Sequence, residues 1–244
     1  MAKTILIASG KGGTGRTFFA TNLGATLANR GKKVVLIDLD INLKNLDIYL
    51  GLESKAIFNV KDVLSGDCKI RQALVRDKRF EHLYLLAGAY YYDERKIEKE
   101  ALKNLYETLK GQFDYIIVDS CSGNSPFVEV LATSIDMCII TAEPNIPNVR
   151  DTEILATHLK ELNIKDIYCI LNKVNIELIN KKMAPSLLEI TQKISINILG
   201  IIQYDENVLV STNFGEPICL KKDTYITANF DKIVDRIVDR ITNN

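Results

Sequence analysis

Apolar and polar positions follow two alternating rhythms along this chain. Short apolar runs rich in β-branched residues fall at residues 4–8, 33–38, 83–87, 115–119, 137–141, 167–171 and 196–201 and read as strands. Several are apolar throughout, as strands covered on both faces are. Between them lie longer segments with apolar residues every three or four positions. These predict helices at 17–29, stopped by Gly31, at 94–110, stopped by Gly111, and at 126–133, 149–162 and 184–193, with a last one at 225–241. Residues 50–80 suggest two short helices around Ser65-Gly66-Asp67. The alternation predicts an α/β fold: a mainly parallel twisted sheet of about seven or eight strands with helices on both faces.

The 244 residues suit one domain spanning 1–244, with no repeat or low-complexity linker. Charge is balanced at 31 Lys+Arg against 31 Asp+Glu, so no nucleic-acid signal stands out; Lys181-Lys182 and Lys221-Lys222 make a thin basic patch. No apolar run approaches the roughly 20 residues that span a bilayer. Met1-Ala2-Lys3 leads straight into the first strand, so no cleaved leader is expected. Five scattered cysteines without C-x-x-C fit a reduced, cytoplasmic protein, and Cys138 and Cys169 fall inside apolar strands as buried thiols.

The chemistry concentrates after the first strand, in Ser9-Gly10-Lys11-Gly12-Gly13-Thr14-Gly15-Arg16-Thr17-Phe18. Two glycines bracket four residues, followed by a basic residue and a threonine, between a strand and a helix. This is the phosphate-cradling pattern in its required setting. Glycines let successive N–H groups turn toward an anion, and the helix N-terminus adds its dipole. Thr17 offers a hydroxyl to a magnesium ion. Asp119 ends a predicted strand at the sheet edge where phosphate ligands bind, in position to hold that ion directly or through water. Asp38 ends another strand, with Asp40 two residues on; both can polarise a water and tune the metal's surroundings.

The run Lys11-Gly12-Gly13-Thr14-Gly15-Arg16-Thr17 resembles the deviant phosphate loop K-G-G-x-G-K-T of the MinD/ParA ATPases. Residues 38–47 resemble the stretch D-x-D-x-G-L-R-N-L-D of MinD-like members. Asp119-Ser120 with Gly123, Val149-Arg150-Asp151, Leu171-Asn172-Lys173 and residues 213–217 match later motifs. The resemblance spans nearly the whole chain and favours the MinD-like over the plasmid-type ParA members. It implies a phosphate-loop NTPase fold and an ATPase that binds ATP or ADP with Mg²⁺. It also implies an ATP-dependent homodimer working with an activating or effector protein. In that frame Lys11 reaches the phosphates held by the second subunit, and Gly10 and Gly12 to Phe18 cradle the nucleotide. Thr17 binds magnesium, with Asp38 and Asp119 at the metal. Asp38 and Asp40 lie by the attacking water, and Asn172 and Gln203 stand at the base.

The departures matter too. Arg16 replaces the loop lysine; it keeps the charge but is a planar fork rather than a point charge, so nucleotide binding with slow or lost hydrolysis is the expectation. Asn42 replaces a glycine, Cys121-Ser122 replaces Pro-Ala, and Gln203 stands where many relatives have proline. MinD-like proteins commonly end in a basic amphipathic helix that binds anionic lipid. Here Ile233, Val234, Ile237, Val238 and Ile241 form a stripe backed by a charge-neutral face, which predicts packing on the sheet. Peripheral attachment at the inner face of the cell membrane therefore rests on resemblance alone. Three functions compete: a dimerising ATPase switch in division-site or cell-surface positioning, a nucleotide-binding regulator or scaffold with little turnover, and a DNA-partition ATPase. The C-x-C or C-x-x-C of metal-centre assembly relatives is absent.

Overall fold

The computed structural model describes residues 2–41, 43–90, 98–221 and 224–243. The chain begins with β1 (Lys3–Ala8), α1 (Arg16–Asn29) and β2 (Val34–Leu39). Three short helices follow: α2 (Leu46–Tyr49), α3 (Val60–Leu64) and α4 (Ile70–Ala73), the last two flanking the turn at Gly66 as expected. A hairpin of β3 (Leu74–Arg76) and β4 (Leu83–Leu86) leads to α5 (Lys99–Lys110), β5 (Tyr115–Ser120), α6 (Pro126–Leu131) and β6 (Met137–Ala142). The chain continues through α7 (Ile146–Glu161), β7 (Ile167–Val174), α8 (Ile176–Asn180), α9 (Leu187–Thr191), β8 (Asn197–Gln203), α10 (Glu206–Asn213) and α11 (Tyr225–Asn243). Asn42, Lys222 and the expected helix start at Glu94 lie outside the described residues.

The strands form one eight-stranded sheet in the order β3-β4-β2-β5-β1-β6-β7-β8, parallel throughout except for the β3–β4 pair. β1 is central and the chain order turns around it, so the loop leaving β1 opens at the crevice where ligands bind in such sheets. Successive strand residues feed opposite faces. Leu6, Ile116 and Ile140 pack with α5, α6 and α7 through Leu105, Phe127 and Leu155. Ile5, Ile117 and Ile139 meet α1 and α11 on the other face through Phe19, Leu23, Phe230 and Ile237. Burial of Ile233, Val234, Ile237 and Ile241 bears out the expected docking of the last helix. Cys138 and Cys169 are buried in the core.

The differences from the expected elements have local causes. The helix expected from Val149 starts at Ile146, because Asn145 caps the Asn148 amide and Pro147 fits the first turn. The helix expected at 126–133 ends at Leu131 in a 3-10 turn, Ala132–Ser134. The one expected at 184–193 shrinks to α9, opened by a Ser186/Glu189 capping box just after Pro185. β3, α2, α8 and α10 are additional. β2 and β5 each run one residue further than expected, so Leu39 and Ser120, not Asp38 and Asp119, are the last strand residues.

Candidate functional site

β1 delivers the chain into the glycine loop at the centre of the sheet, and α1 begins at Arg16 directly after Gly15. Gly15 sits at φ 91, and a Cβ there would lie 2.2 Å from Asn172 Nδ2. Only glycine fits both the dihedral and the space. No side chain caps the start of α1 and no acidic residue lies in its first turn. Its leading N–H groups and positive dipole end are left for an anion. The loop faces a cavity of about 450 Å³. Gly12 to Phe18, Asp40, Asn172 and Gln203 line it, together with Tyr49, Lys173, Tyr204 and Leu209. Gly10 and Lys11 are not in that lining, and Lys11 is exposed.

Arg16, at the cavity wall, is tied down by its neighbours. It is only 8% exposed. Its Nη1 donates to Ser9 Oγ and its Nη2 to Asp40 Oδ2, both at 2.7 Å, and its Nε lies 3.7 Å from Asp119 Oδ1. Thr17 Oγ1 donates to the other Asp119 oxygen at 2.7 Å. The structure thus gathers Arg16, Thr17, Asp40 and Asp119 into one cluster. Asp38 stands beside it, paired in register with Asp119 across β2 and β5. It is fully buried and accepts backbone N–H groups from Asp40, Asn45 and Leu46. Those bonds tie it to the start of α2, and it does not line the cavity.

The electrostatics follow from burial. Loss of water pushes the Asp119 carboxyl up to about 7, although the Arg16 charge and the Thr17 hydroxyl pull the other way. Burial pushes Asp38 well above the carboxylate range, and the neighbouring Asp119 charge adds to it against the backbone donors. Asp40 is raised by burial as well, opposed by Arg16. Asp119 Oδ1 has no hydrogen-bond partner among the described residues. A buried carboxylate oxygen without a hydrogen bond, beside a threonine hydroxyl, is a donor set that suits a hard cation such as magnesium.

Several contacts escaped the sequence reading. Asn172 donates from Nδ2 to the Thr14 carbonyl at 2.8 Å, and Lys173 Nζ reaches the Gly13 carbonyl and Glu143. Thr14 and Thr141 share a hydroxyl hydrogen bond at 2.8 Å. Arg79 donates to the carbonyls of Leu50 and Gly215 while paired with buried Asp77, joining the chain beyond α2 to the chain beyond α10. The Leu171-Asn172-Lys173 motif was a signal for Lys173; nothing in the sequence singled out Arg79.

Comparison with known proteins agrees with this geometry. The family described as the CobQ/CobB/MinD/ParA nucleotide binding domain matches residues 5–218. The septum site-determining protein MinD of Bacillus subtilis (strain 168) is 38% identical over 240 residues, 98% of this chain and 90% of that protein. The fold matches MinD in the MinC:MinD cell division protein complex of Aquifex aeolicus with a TM-score of 0.89 at 33% identity, over 98% of this chain and 96% of that one. It matches MinD complexed with Mg-ADP from Pyrococcus horikoshii OT3 with a TM-score of 0.85 at 28% identity, over 99% and 98%. The chain belongs to the CobQ/CobB/MinD/ParA nucleotide-binding family, among its MinD-like members.

Proposed function

We propose that the chain, as a single domain over residues 1–244, is a magnesium-dependent ATPase switch that dimerises with ATP and acts in division-site or cell-surface positioning. The observation that carries this is the uncapped N-terminus of α1 facing a cavity of about 450 Å³, with Thr17 in its lining and bonded to buried Asp119. The amides of residues 12 to 17 hold the phosphates. Thr17 and Asp119 would hold magnesium, which would supply positive charge to neutralise the phosphates. Asp40 would orient water near it while Asp38 holds the Asp40, Asn45 and Leu46 amides behind it, Gln203 lies on the cavity wall for the base, and exposed Lys11 is available to a second subunit. The Mg-ADP complex of the Pyrococcus relative supports the cofactor assignment, and the MinC-bound Aquifex relative supports an effector protein as partner.

A slow-turnover regulator is the second reading, and Arg16 favours it. Its fork is held by Ser9 and Asp40 beside Asp119, so it has to leave them before it can contact phosphate. We place the protein in the cytoplasm, with any membrane association peripheral. No helix among the described residues is long and apolar enough to cross a membrane. The apolar stripe of α11 is buried on the sheet, so lipid contact would fall to another surface.

ATP turnover and light scattering on one sample test the proposal. ATP with magnesium should shift the protein from monomer to dimer. Turnover should be slow and should rise in Arg16→Lys. Equal, brisk rates in both proteins would remove Arg16 as a brake, and no ATP binding in either would end the nucleotide reading.

A further inference from the structure

The turn between α8 and α9 closes in an unusual way. α8 ends at Asn180, and two hydrogen bonds seal it: the Lys182 N–H donates to the Ile179 carbonyl at 3.0 Å and the Met183 N–H to the Leu178 carbonyl at 2.9 Å. This paired closure needs a left-handed residue at its centre, and glycine usually fills that place. Here Lys182 fills it, at φ 55. The same closure commonly packs the residue after the turn against the one five positions earlier. Neither is sheltered here: Met183 is 72% exposed and Leu178 39%. The turn thus presents an ammonium and a bare thioether side chain where a glycine and a packed residue are the rule.

Beside that turn lies a cavity of about 700 Å³ that shares no lining residue with the one at the glycine loop. Ile146 at the start of α7, Ile179, Met183, Ala184 and Pro185 make its lining mostly apolar. Its volume is that of a ligand-binding cleft. Lys182 and Lys193 stand at the same cavity. The other half of the Lys181-Lys182 pair is engaged elsewhere, by Glu177. Glu189 is the one carboxylate in the lining. It already accepts the Ser186 N–H and hydroxyl, at 2.7 and 2.9 Å, in the capping box that opens α9. Two ammonium groups therefore stand against one carboxylate that the fold has committed, and the cavity is positive.

We propose that this cavity binds a segment of another protein in which acidic residues flank a large apolar side chain. The apolar side chain enters between Ile146, Ile179 and Pro185, and Met183 closes over it. The flanking carboxylates meet the ammonium groups of Lys182 and Lys193. Methionine suits this task because its flexible, polarisable side chain adapts to guests of different shape. Charge and lining together select the occupant. A nucleic acid is held by many Lys and Arg contacts to phosphate, and two lysines on an apolar lining are too few. The inference stands apart from the nucleotide reading, since the two cavities have separate linings.

The test selects a phage-displayed library of random dodecapeptides on the full chain and remakes the enriched peptides with a fluorescent label for anisotropy. Sequences with Asp or Glu on either side of a large apolar residue should dominate. Their affinity should fall about tenfold in the double variant Lys182→Gly, Lys193→Gln, for the loss of two exposed charge pairs. Met183→Ser should weaken them with the charges intact, and Lys182→Arg should keep the affinity. Glycine is at home in the left-handed conformation of residue 182, so melting temperature and Mg-ATP affinity should match wild type in the double variant. A selection that enriches nothing, or enriches peptides without acidic residues, would overturn the proposal. So would peptide binding that the double variant and Met183→Ser both leave intact. Binding of double-stranded DNA or phosphatidylserine vesicles through the same lysines, in place of acidic peptides, would assign the site to a phosphate-bearing partner and overturn it too.

Discussion

Asp119→Asn should make the ligand-free protein more stable at neutral pH, and the gain should depend on pH in a defined way. Asp119 and Asp38 are both fully buried and face each other across β5 and β2, with a single guanidinium near them. Folding moves Asp119 from an ordinary value near 3.9 up to about 7, chiefly by burial. The folded protein therefore binds more protons than the unfolded chain between about pH 4 and pH 7, and its stability falls as pH rises through that window. Each tenfold change in proton affinity is worth about 1.4 kcal/mol. The buried carboxylate thus costs folding about 4 kcal/mol above pH 7, of which about 3 kcal/mol develops between pH 5 and pH 8.

Asparagine keeps an oxygen to accept from Thr17 but does not titrate, so the variant should lack this slope. Urea unfolding at pH 5 and pH 8 reads the difference. Wild type should lose about 3 kcal/mol more than Asp119→Asn across that interval. Parallel profiles would refute the reasoning, because they would mean that Asp119 folds with an ordinary proton affinity. The variant should also bind magnesium nucleotide poorly, since the carboxylate that burial penalises is the one proposed to hold the ion.

Other expectations follow from the same contacts. Gly15→Ala should abolish nucleotide binding by calorimetry, because its Cβ would strike Asn172 Nδ2 at 2.2 Å in a left-handed residue. Arg79→Met should lower stability by about 2 kcal/mol in urea unfolding, since Asp77 stays buried without its partner. Nucleotide affinity should fall with it, as the chain beyond α2 comes loose from the chain beyond α10. Ile237→Ala should cost about 2–5 kcal/mol, because α11 buries that side chain completely. In vesicle sedimentation, wild type should not pellet on anionic lipid through this helix; pelleting abolished by Ile237→Ala in a still-folded protein would show that the helix leaves the sheet.

Much of the fold was legible because its strands are buried on both sides. Ile116, Ile117 and Val118 are apolar in succession, and that pattern admits few other placements. Helices with a broad buried face, such as α5 and α11, were equally plain. The short elements were not. α10 leaves Leu209 and Val210 exposed, so its apolar residues trace no buried face, and α8 has no buried residue among its five. β3 is three residues long and pairs antiparallel, against the pattern of the rest of the sheet. Periodicity carries little information over such lengths.

The site divides along the same line, between local pattern and distant contact. The glycine loop was readable because the backbone conformations a phosphate nest needs are written in adjacent residues. The roles of Arg16 and Asn172 depend on partners far along the chain. Asp40 lies 24 residues from Arg16, and Thr14 lies 158 from Asn172. The sequence showed that Arg16 keeps the positive charge of the lysine it replaces. The geometry shows what the change of shape adds. A lysine ammonium is one compact charge on a flexible stem, whereas the guanidinium spans Ser9, Asp40 and Asp119 with three different nitrogens. Those contacts lie in a nearly water-free site, where breaking a hydrogen bond to a charged group is costly. A nucleotide that draws Arg16 toward its phosphates must break them and leave Asp40 and Asp119 to find another cation. The substitution is therefore compatible with binding, because magnesium can meet that need, and it slows whatever step requires Arg16 to leave.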